Sequence, residues 1–314
     1  MEAEVSDQAA TRVRWTGGHE HWVDKGDVRL FLWEKKRHPG TVHAGTILFV
    51  HGSSMASQPT FDLSVPGRPD SSVMDWFAAR GFDTWTLDNE GYGRSSKHRP
   101  INCNIDNGAE DLAAGSAYIL QRSADRQLLV YGISSGALKA AVFAQHHPAR
   151  VARLALDAFV WTGEGSPTLA ERAKRLPEFQ KMLRRPIDRA FVRSIFTRDH
   201  PGTADDATVE AFADAILTLD DSMPTGTYVD MTSRLPLVDP ARLVVPTLIL
   251  RGEYDGIASF EDLVRFFALL PNMDKQFSVM AGISHASFQQ KNYRTVYHLL
   301  HAFFTQPAPL YTGA

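Results

Sequence analysis

The sequence predicts an α/β protein with a mostly parallel sheet and helices on both of its faces. Short apolar runs rich in β-branched residues alternate with segments of helical period over residues 16–160 and again over 237–314. Repeated strand–helix units of this kind form parallel sheets with right-handed crossovers. Residues 161–236 are instead helical in period and broken by prolines. We expect them to form a helical cap inserted between two strands of the core.

The first elements follow a loose tail over residues 1–15. "HEHWVDKG" and "VRLFLWEK" flank a turn at Lys25-Gly26-Asp27 and predict an antiparallel pair of strands. "GTILFVHG" is apolar almost throughout, as a strand buried on both faces should be. "SSVMDWFAARG" then predicts a helix that ends before Gly81, and "FDTWTLD" predicts the next strand.

The alternation continues to the end of the chain, interrupted only by the inserted segment. "NGAEDLAAGSAYILQR" predicts a helix capped near Asp106 or Asn107. "RQLLVYGI" and "RLALDAF" predict strands on either side of a helix that follows Gly136. After residue 236, strand, helix, strand and helix are predicted in turn for "VPTLILRGEYD", "FEDLVRFFALL", "KQFSVMAGISH" and "YRTVYHLLHAFF".

Composition and charge argue against several classes of protein. The 314 residues include 33 basic and 36 acidic side chains, a formal net charge of −3, so no nucleic-acid or membrane partner is expected. No run reaches the ~18–20 apolar residues of a membrane span, and the N-terminal residues do not resemble a secretory signal. The single cysteine, Cys103, excludes an intramolecular disulfide framework and a thiolate zinc cluster. We therefore expect a cytoplasmic protein, with its oligomeric state left open.

Glycine and polar residues follow four of the predicted strands directly. Because the functional crevice of a parallel sheet lies at the carboxyl ends of its strands, these segments are the candidates for a site. They begin with His51-Gly52-Ser53-Ser54 after "ILFV", Gly132-Ile133-Ser134-Ser135-Gly136 after "LLVY", the run to Asp255 after "TLIL" and the run to His285 after "FSVM".

The segment Gly132-x-Ser134-x-Gly136, between a strand and a helix, resembles the nucleophile elbow of the α/β-hydrolase superfamily. The chain order Ser134, Asp255, His285 is also the order of the catalytic triad in that superfamily. His51-Gly52 is similar to its oxyanion-loop signature. The resemblance covers most of residues 20–305 and implies an α/β-hydrolase fold with a helical cap. It further implies a serine hydrolase, similar to carboxylesterases and more loosely to monoalkyl phthalate hydrolases.

The resemblance also implies a role for each matched residue. Ser134 would be the nucleophile, His285 the base that activates it, and Asp255 the carboxylate that orients the imidazole. The oxyanion donors would be the backbone N–H of Ser135 and one from Ser53 or Ser54. No metal and no cofactor are expected. Serine at position 134 also argues against the dehalogenase and epoxide-hydrolase branches, in which this position is aspartate.

Each of these residues has a structural alternative. Ser134 stands where an N-cap of the following helix would stand, and His285 is one of 12 histidines, many of which only pack in loops. The acid is the least certain member of the triad, because Asp157 ends the preceding predicted strand and is an alternative to Asp255.

The charges of the inserted segment suggest something about the substrate. Residues 171–198 carry nine basic residues against three acidic ones, whereas residues 205–221 carry six acidic residues and neither Lys nor Arg. Two solvated helix faces that pair with each other would explain this pattern. Alternatively, one arginine turns inward and binds a substrate carboxylate. The basic residues are Arg172, Lys174, Arg175, Lys181, Arg184, Arg185, Arg189, Arg193 and Arg198.

These observations predict a serine hydrolase that cleaves a carboxylic ester through an acyl-enzyme. The substrate is expected to be small, partly hydrophobic and able to carry a carboxylate, such as a monoester of an aromatic diacid. Met55, Trp161 and Phe288 adjoin the site motifs and are candidates for its pocket. Two alternatives stay open: a hydrolase of C–C bonds in ring-cleavage products, and a non-catalytic ligand-binding protein with the same fold.

Overall fold

The structure, a computed structural model, describes residues 15–311. The predicted N-terminal tail, apart from Trp15, therefore lies outside the described residues. The strands are β1 (His19–Lys25), β2 (Val28–Lys35), β3 (Gly45–Val50), β4 (Phe82–Leu87), β5 (Leu128–Ile133), β6 (Val151–Asp157), β7 (Arg184–Pro186), β8 (Ser222–Pro224), β9 (Thr247–Gly252) and β10 (Lys275–Met280).

Eight of these strands form one sheet in the order β1-β2-β4-β3-β5-β6-β9-β10. β1 and β2 are antiparallel, as the turn at Lys25-Gly26-Asp27 predicted, and β2 is antiparallel to β4. Every other pair in the sheet is parallel, from β4 through to β10. The sequence of β3 and β5, apolar at nearly every position, is explained by this placement, since both strands lie inside the sheet and are buried on both faces.

Helices cover both faces of the sheet, as predicted. One hydrophobic core lies under α3, α4 and α10, and another lies under α1, α2 and α11. The helices are α1 (Ser57–Phe61), α2 (Val73–Ala78), α3 (Ile105–Leu120), α4 (Ser135–His146), α5 (Pro167–Ala173), α6 (Leu176–Lys181), α7 (Arg189–Thr197), α8 (Asp206–Leu219), α9 (Gly226–Ser233), α10 (Phe260–Leu269) and α11 (Tyr293–Phe304).

Helix α3 begins slightly earlier than the sequence predicted. Its N-cap is Asn104, whose side chain accepts a hydrogen bond of 2.9 Å from the backbone N–H of Asn107. The expected cap at Asp106 or Asn107 is therefore wrong by two to three residues. Both asparagines and the aspartate are good capping residues, so local sequence alone does not distinguish them.

The segment between β6 and β9 carries α5 to α9 and is not wholly helical. β7 and β8 pair with each other as a small antiparallel sheet, separate from the main one. Both strands end at a proline, Pro186 and Pro224, which cannot continue a helix and has no N–H to donate. A third apolar core, formed largely by α7 and α8, lies in this segment and reaches the loop at Met55. Among the helices described, none has the length and apolarity to cross a membrane.

Candidate active site

Ser134 lies at the junction of β5 and α4 in a strained backbone conformation. Its φ of 58° is in the left-handed region, where residues other than glycine are uncommon. The flanking glycines are required by close approaches of the backbone. A Cβ on Gly132 would lie 2.4 Å from the carbonyl oxygen of Gly136, and one on Gly136 would lie 2.3 Å from that of Val50. The turn is thus held tightly, and it projects the Ser134 side chain from the carboxyl end of the sheet.

Three side chains from distant parts of the chain meet at this turn. Nε2 of His285 lies 2.9 Å from Oγ of Ser134. Nδ1 of the same ring lies 3.0 and 3.1 Å from the two carboxylate oxygens of Asp255. All three residues are buried. Ser134 does occupy the N-cap position of α4, but its side chain makes no capping hydrogen bond. The side chain is directed at the imidazole instead.

The environment of Asp255 keeps its carboxylate ionised. Its Oδ1 accepts hydrogen bonds from the backbone N–H groups of Ile257 and Ala258, at 2.8 and 3.1 Å. Burial alone would raise the pKa of Asp255, but the nearby His285 and the two backbone donors lower it to about 2. A carboxylate that stays charged can hold Nδ1 of His285 protonated, which leaves Nε2 free to accept a proton from Ser134.

Asp157, the alternative acid, makes a different contact. Its Oδ2 accepts a hydrogen bond of 2.6 Å from the hydroxyl of Tyr131, and its backbone carbonyl accepts one from the N–H of Ser134. Burial raises the pKa of Asp157 to about 7, which is the behaviour of a carboxyl group without a cationic partner in hydrogen-bond contact. Asp157 therefore supports the turn at Ser134, whereas Asp255 contacts the imidazole.

The residues proposed for the oxyanion hole lie beside the nucleophile. A Cβ on Gly52 would lie 3.3 Å from Cβ of Ser134, so the loop after β3 passes directly over the turn. The hydroxyl of Ser53 donates a hydrogen bond of 2.7 Å to the hydroxyl of Ser135, which ties the two segments together. The hydroxyl of Ser54 accepts a hydrogen bond of 2.8 Å from Arg185.

A small cavity of about 20 Å³ opens at Ser134, with room for about one water molecule. Its described lining residues are Ser53, Ser54, Met55, Ser134, Arg172, Ile195, Arg198, Tyr228 and His285.

Of the three pocket candidates, the structure brings only Met55 to this cavity. The indole N–H of Trp161 donates to the carbonyl of Val238, and its ring packs on Phe266. Phe288 is buried among aromatic rings beneath the sheet, with Tyr131 at 5.0 Å between ring centroids. Both residues adjoin site motifs in the chain, yet their side chains pack against the core. Their predicted place in the pocket lining is therefore wrong for this cavity.

The basic residues of the inserted segment divide into two groups. Arg189 and Arg193 pair with Glu210 on α8, and Arg175 pairs with Glu178, all at exposed positions. The two pairs with Glu210 join the basic and the acidic stretch, as the pairing of two solvated faces predicts, whereas Arg175 and Glu178 pair within the basic stretch. Arg172, Arg185 and Arg198 instead surround the cavity at Ser134, either in its wall or directly behind Ser54. The pairing of solvated faces therefore describes some of these arginines, and others are directed to the cavity, while binding of a substrate carboxylate stays a prediction.

Two functional candidates escaped the sequence analysis. Tyr228 on α9 lies in the cavity wall, with its hydroxyl 3.3 Å from that of Ser54. Burial would raise the pKa of Tyr228, but the charges of Arg172 and Arg185 lower it to about 7. Asp199 lies close enough to Asp255 and His285 for one oxygen or nitrogen of each to fall within 4.8 Å of the others. Nothing in "GTYVDM" or "TRDH" distinguishes these residues from ordinary helix and loop positions.

The three groups around Asp199 have the donors of a metal site, but each already has a hydrogen-bond partner. Asp199 accepts from Arg198 at 2.9 and 3.1 Å and from Thr168 at 3.1 Å. Asp255 and His285 bind each other, and the imidazole also contacts Ser134. The contacts of Asp255, His285 and Ser134 are those of a base hydrogen-bonded to a nucleophile, and they occupy the atoms that would bind a metal ion.

Comparison with known proteins places the chain in a family. Residues 42–292 match the model of the Hydrolase_4 family, which is described as serine aminopeptidase, S33. The chain belongs to this family. It is therefore a hydrolase with the α/β-hydrolase fold, as the resemblance at Ser134 implied. No curated protein matches it.

Solved structures similar to this Hydrolase_4 member span several activities. A monoglyceride lipase from Saccharomyces cerevisiae has a TM-score of 0.67 at 16% identity, covering 92% of this chain and 95% of the lipase. An epoxide hydrolase from Vigna radiata has the same TM-score and identity, covering 93% and 99%. A thermophilic esterase from Thermogutta terrifontis has a TM-score of 0.61 at 20% identity, covering 91% and 100%. At these identities the likeness concerns the fold.

Proposed function

We propose that this protein is a serine hydrolase of small, partly hydrophobic carboxylic esters. Ser134 is the nucleophile, His285 the general base and Asp255 the orienting carboxylate. The observation that carries the proposal is the unbroken chain of contacts from Oγ of Ser134 through His285 to Asp255, at 2.9 and 3.0 Å. A serine hydroxyl is a poor nucleophile until a base within hydrogen-bond reach takes its proton, and His285 is placed to be that base.

In the first half of the reaction, Oγ of Ser134 attacks the ester carbonyl and its proton passes to Nε2 of His285. The resulting imidazolium is stabilised by the ionised Asp255. When the tetrahedral intermediate collapses, the bond to the alkoxy oxygen breaks and His285 gives its proton to the departing alcohol. The acyl group is left on Ser134.

In the second half, a water molecule takes the place of the alcohol. His285 removes its proton as the water oxygen attacks the acyl carbonyl, and collapse of this second intermediate returns the proton to Oγ of Ser134. A carboxylic acid is released and the enzyme regains its starting state.

The negative charge on each intermediate needs donors fixed in advance. The backbone N–H of Ser135, at the first turn of α4, and a backbone N–H of Ser53 or Ser54 are proposed to supply them. Donors of this kind are worth about 10²–10³ in turnover each. The hydrogen bond from Ser53 to Ser135 supports this assignment because it holds the two loops in register.

We propose that residues 161–236 act as a cap over this site. The support is that α5, α7 and α9 contribute Arg172, Ile195 and Tyr228 to the cavity wall, together with Arg198, which directly follows α7. A cavity of about 20 Å³ is too small for an ester, so the proposal requires the cap to move before a substrate binds.

Peptide-bond cleavage, which the family description names, is less well supported. An aminopeptidase must bind a substrate ammonium group beside the scissile bond. None of the described residues that line the cavity is acidic, and two of them are arginines. The nearby carboxylates of Asp199 and Asp255 are already paired with Arg198 and His285.

The test is hydrolysis of p-nitrophenyl acetate and butyrate by wild type, Ser134→Ala and Ser116→Ala. Ser116 is a matched control because it is a buried serine on α3 whose hydroxyl bonds only backbone and arginine. We expect Ser134→Ala to lose at least about 10³-fold in kcat and Ser116→Ala to keep wild-type activity. Wild-type turnover in Ser134→Ala, with its fold intact, would contradict the proposal.

The two alternative functions are separate outcomes of a wider screen. Cleavage of a coloured vinylogous diketone, with no activity on esters, would indicate a C–C bond hydrolase acting through the same three residues. Binding of small ligands with no turnover of esters, diketones or amino-acid anilides would indicate a binding protein.

A further inference from the structure

While Tyr228 is a neutral phenol, the cavity at Ser134 carries more positive charge than the neighbouring carboxylates neutralise. Arg198 is paired with Asp199 through two hydrogen bonds, and His285 is paired with Asp255. Arg172 lines the same cavity and has no side-chain hydrogen bond or ion pair to any of residues 15–311. Because Arg172 lines the cavity and the guanidinium has no other partner among these residues, its N–H groups are available to a molecule bound there.

Arg172 is held in place by an aromatic ring. The centre of its guanidinium lies 4.3 Å from the ring centroid of Tyr228, a distance typical of a cation–π contact. A guanidinium held against a ring keeps its five N–H groups available around its own plane. That geometry suits two parallel hydrogen bonds to a carboxylate.

A second guanidinium lies against the same ring. Arg185 is buried, its centre is 4.3 Å from the Tyr228 centroid, and one of its N–H groups donates to Ser54. Its Nε is buried without a partner in the described structure. Two guanidinium groups thus flank one phenol, and among the described residues neither forms an ion pair with a carboxylate. Buried charges of one sign destabilise a protein unless an anion compensates them.

We propose that Arg172, positioned by Tyr228 and supported by the charge of Arg185, binds a carboxylate on the substrate. This inference rests on the proposed ester hydrolysis and specifies its substrates as monoesters of dicarboxylic acids. The same cavity holds Ser134 and His285, so the carboxylate and the scissile carbonyl are separated by a short spacer. Met55 and Ile195, also in the wall, contact the apolar part of that spacer. Arg185 is a positioning residue, since it contacts Ser54 and Tyr228 in the cavity wall and is not itself among the described lining residues.

The kinetic test compares two substrates that differ only in charge at one end. Monoethyl phthalate carries a carboxylate, and ethyl 2-acetylbenzoate carries a neutral acetyl group of nearly the same shape. We expect wild type to prefer the monoester by about 10- to 100-fold in kcat/KM. Arg172→Gln should abolish that preference through KM, and Arg172→Lys should keep part of it. Arg189→Gln, at an exposed ion pair on the same segment, is the control and should keep all of it.

A binding test separates this inference from the proposed function. Ser134→Ala is titrated calorimetrically with monoethyl phthalate and with ethyl 2-acetylbenzoate. We expect tighter binding of the monoester, with a Kd that rises about tenfold or more in Ser134→Ala/Arg172→Gln and not in Ser134→Ala/Arg189→Gln.

The outcomes assign failure to one proposal or the other. Equal use and equal binding of both compounds by proteins that retain Arg172 would overturn the carboxylate site and leave ester hydrolysis standing. An equal loss for both compounds in Arg172→Gln would overturn it too, because a structural role predicts that result. Selective binding of the monoester through Arg172, with no turnover of any ester, would support the site and contradict the proposed hydrolysis.

Discussion

Replacing Asp255 with asparagine should cost far more activity than the same change at Asp157. The hydrogen bonds of Asp255 explain why. Its Oδ1 accepts from the N–H groups of Ile257 and Ala258, and an asparagine would keep its own oxygen at that position. Its NH₂ group then replaces Oδ2 and faces Nδ1 of His285, which lies 3.1 Å from Oδ2 in the present structure.

The NH₂ group donates to Nδ1 of His285, while Oδ1, although 3.0 Å from Nδ1, already accepts from two backbone N–H groups. The substitution therefore favours the tautomer with the ring proton on Nε2. An Nε2–H group cannot accept the proton of Ser134, so the base is lost although the geometry is kept. In a serine protease the corresponding change lowers kcat by about 10⁴, or about 5.4 kcal/mol of transition-state stabilisation. We expect a loss of similar order in Asp255→Asn.

Asp157→Asn is the matched comparison. Asp157 is also buried at the end of a strand, but its side chain accepts from the hydroxyl of Tyr131, and an amide oxygen accepts that bond equally well. Burial raises the pKa of Asp157 to about 7, so its carboxyl group is already partly neutral at pH 7.5. The substitution therefore removes little charge. We expect Asp157→Asn to keep kcat within about fivefold of wild type. The assay is steady-state hydrolysis of p-nitrophenyl butyrate at pH 7.5, with circular dichroism to check the fold. The reverse ranking of the two variants would refute this assignment of the acid.

Two further predictions follow from the same region. The preference for monoethyl phthalate over ethyl 2-acetylbenzoate should fall at least about threefold between pH 6 and pH 8. Burial raises the pKa of Tyr228, but the charges of Arg172 and Arg185 lower it to about 7. Above that pH Tyr228 becomes a phenolate, which offsets the charges of the two arginines. The kcat/KM ratio of the two esters should be flat with pH in Tyr228→Phe, and a flat ratio in wild type would contradict the electrostatic account. Gly136→Ala should lower the free energy of unfolding by roughly 1–3 kcal/mol in urea titrations, because its Cβ would lie 2.3 and 2.6 Å from two backbone oxygens. Gly115→Ala, whose Cβ would meet nothing closer than 3.5 Å, is the control, and an equal loss in both variants would refute the steric argument.

The features that sequence predicted well depend on local patterns. The turn at Ser134 requires glycine at 132 and 136 for steric reasons, so the five-residue motif from Gly132 to Gly136 predicts it. The strands β3 and β5 are visible because burial on both faces demands continuous apolar runs. The carboxyl ends of parallel strands meet at one edge of the sheet, which made the segments of Asp255 and His285 candidates, and the resemblance to the α/β-hydrolase superfamily implied their roles.

The features that were missed depend on packing between distant segments. Trp161 adjoins the end of β6 in the chain, but an indole N–H needs an acceptor and finds it at Val238. Phe288 follows His285 by three residues, yet it fills the aromatic core under the sheet. The role proposed for Arg172 depends on Tyr228, which is 56 residues away on another helix. Charge counts along the segment allowed an inward arginine as one of two interpretations and did not show which arginine it would be.

Several expectations stay predictions. The cytoplasmic location and the absence of nucleic-acid, membrane, metal and cofactor partners come from composition and motifs alone. The substrate range is a proposal with its own experiments.

The most direct test of a serine nucleophile activated by its histidine is covalent labelling with a fluorophosphonate. Intact and peptide mass spectrometry should show one phosphonyl adduct per chain, on the peptide that contains Ser134. We expect no adduct in Ser134→Ala and labelling slowed at least about 10³-fold in His285→Ala. An adduct on another residue, or labelling of Ser134→Ala at the wild-type rate, would contradict the account.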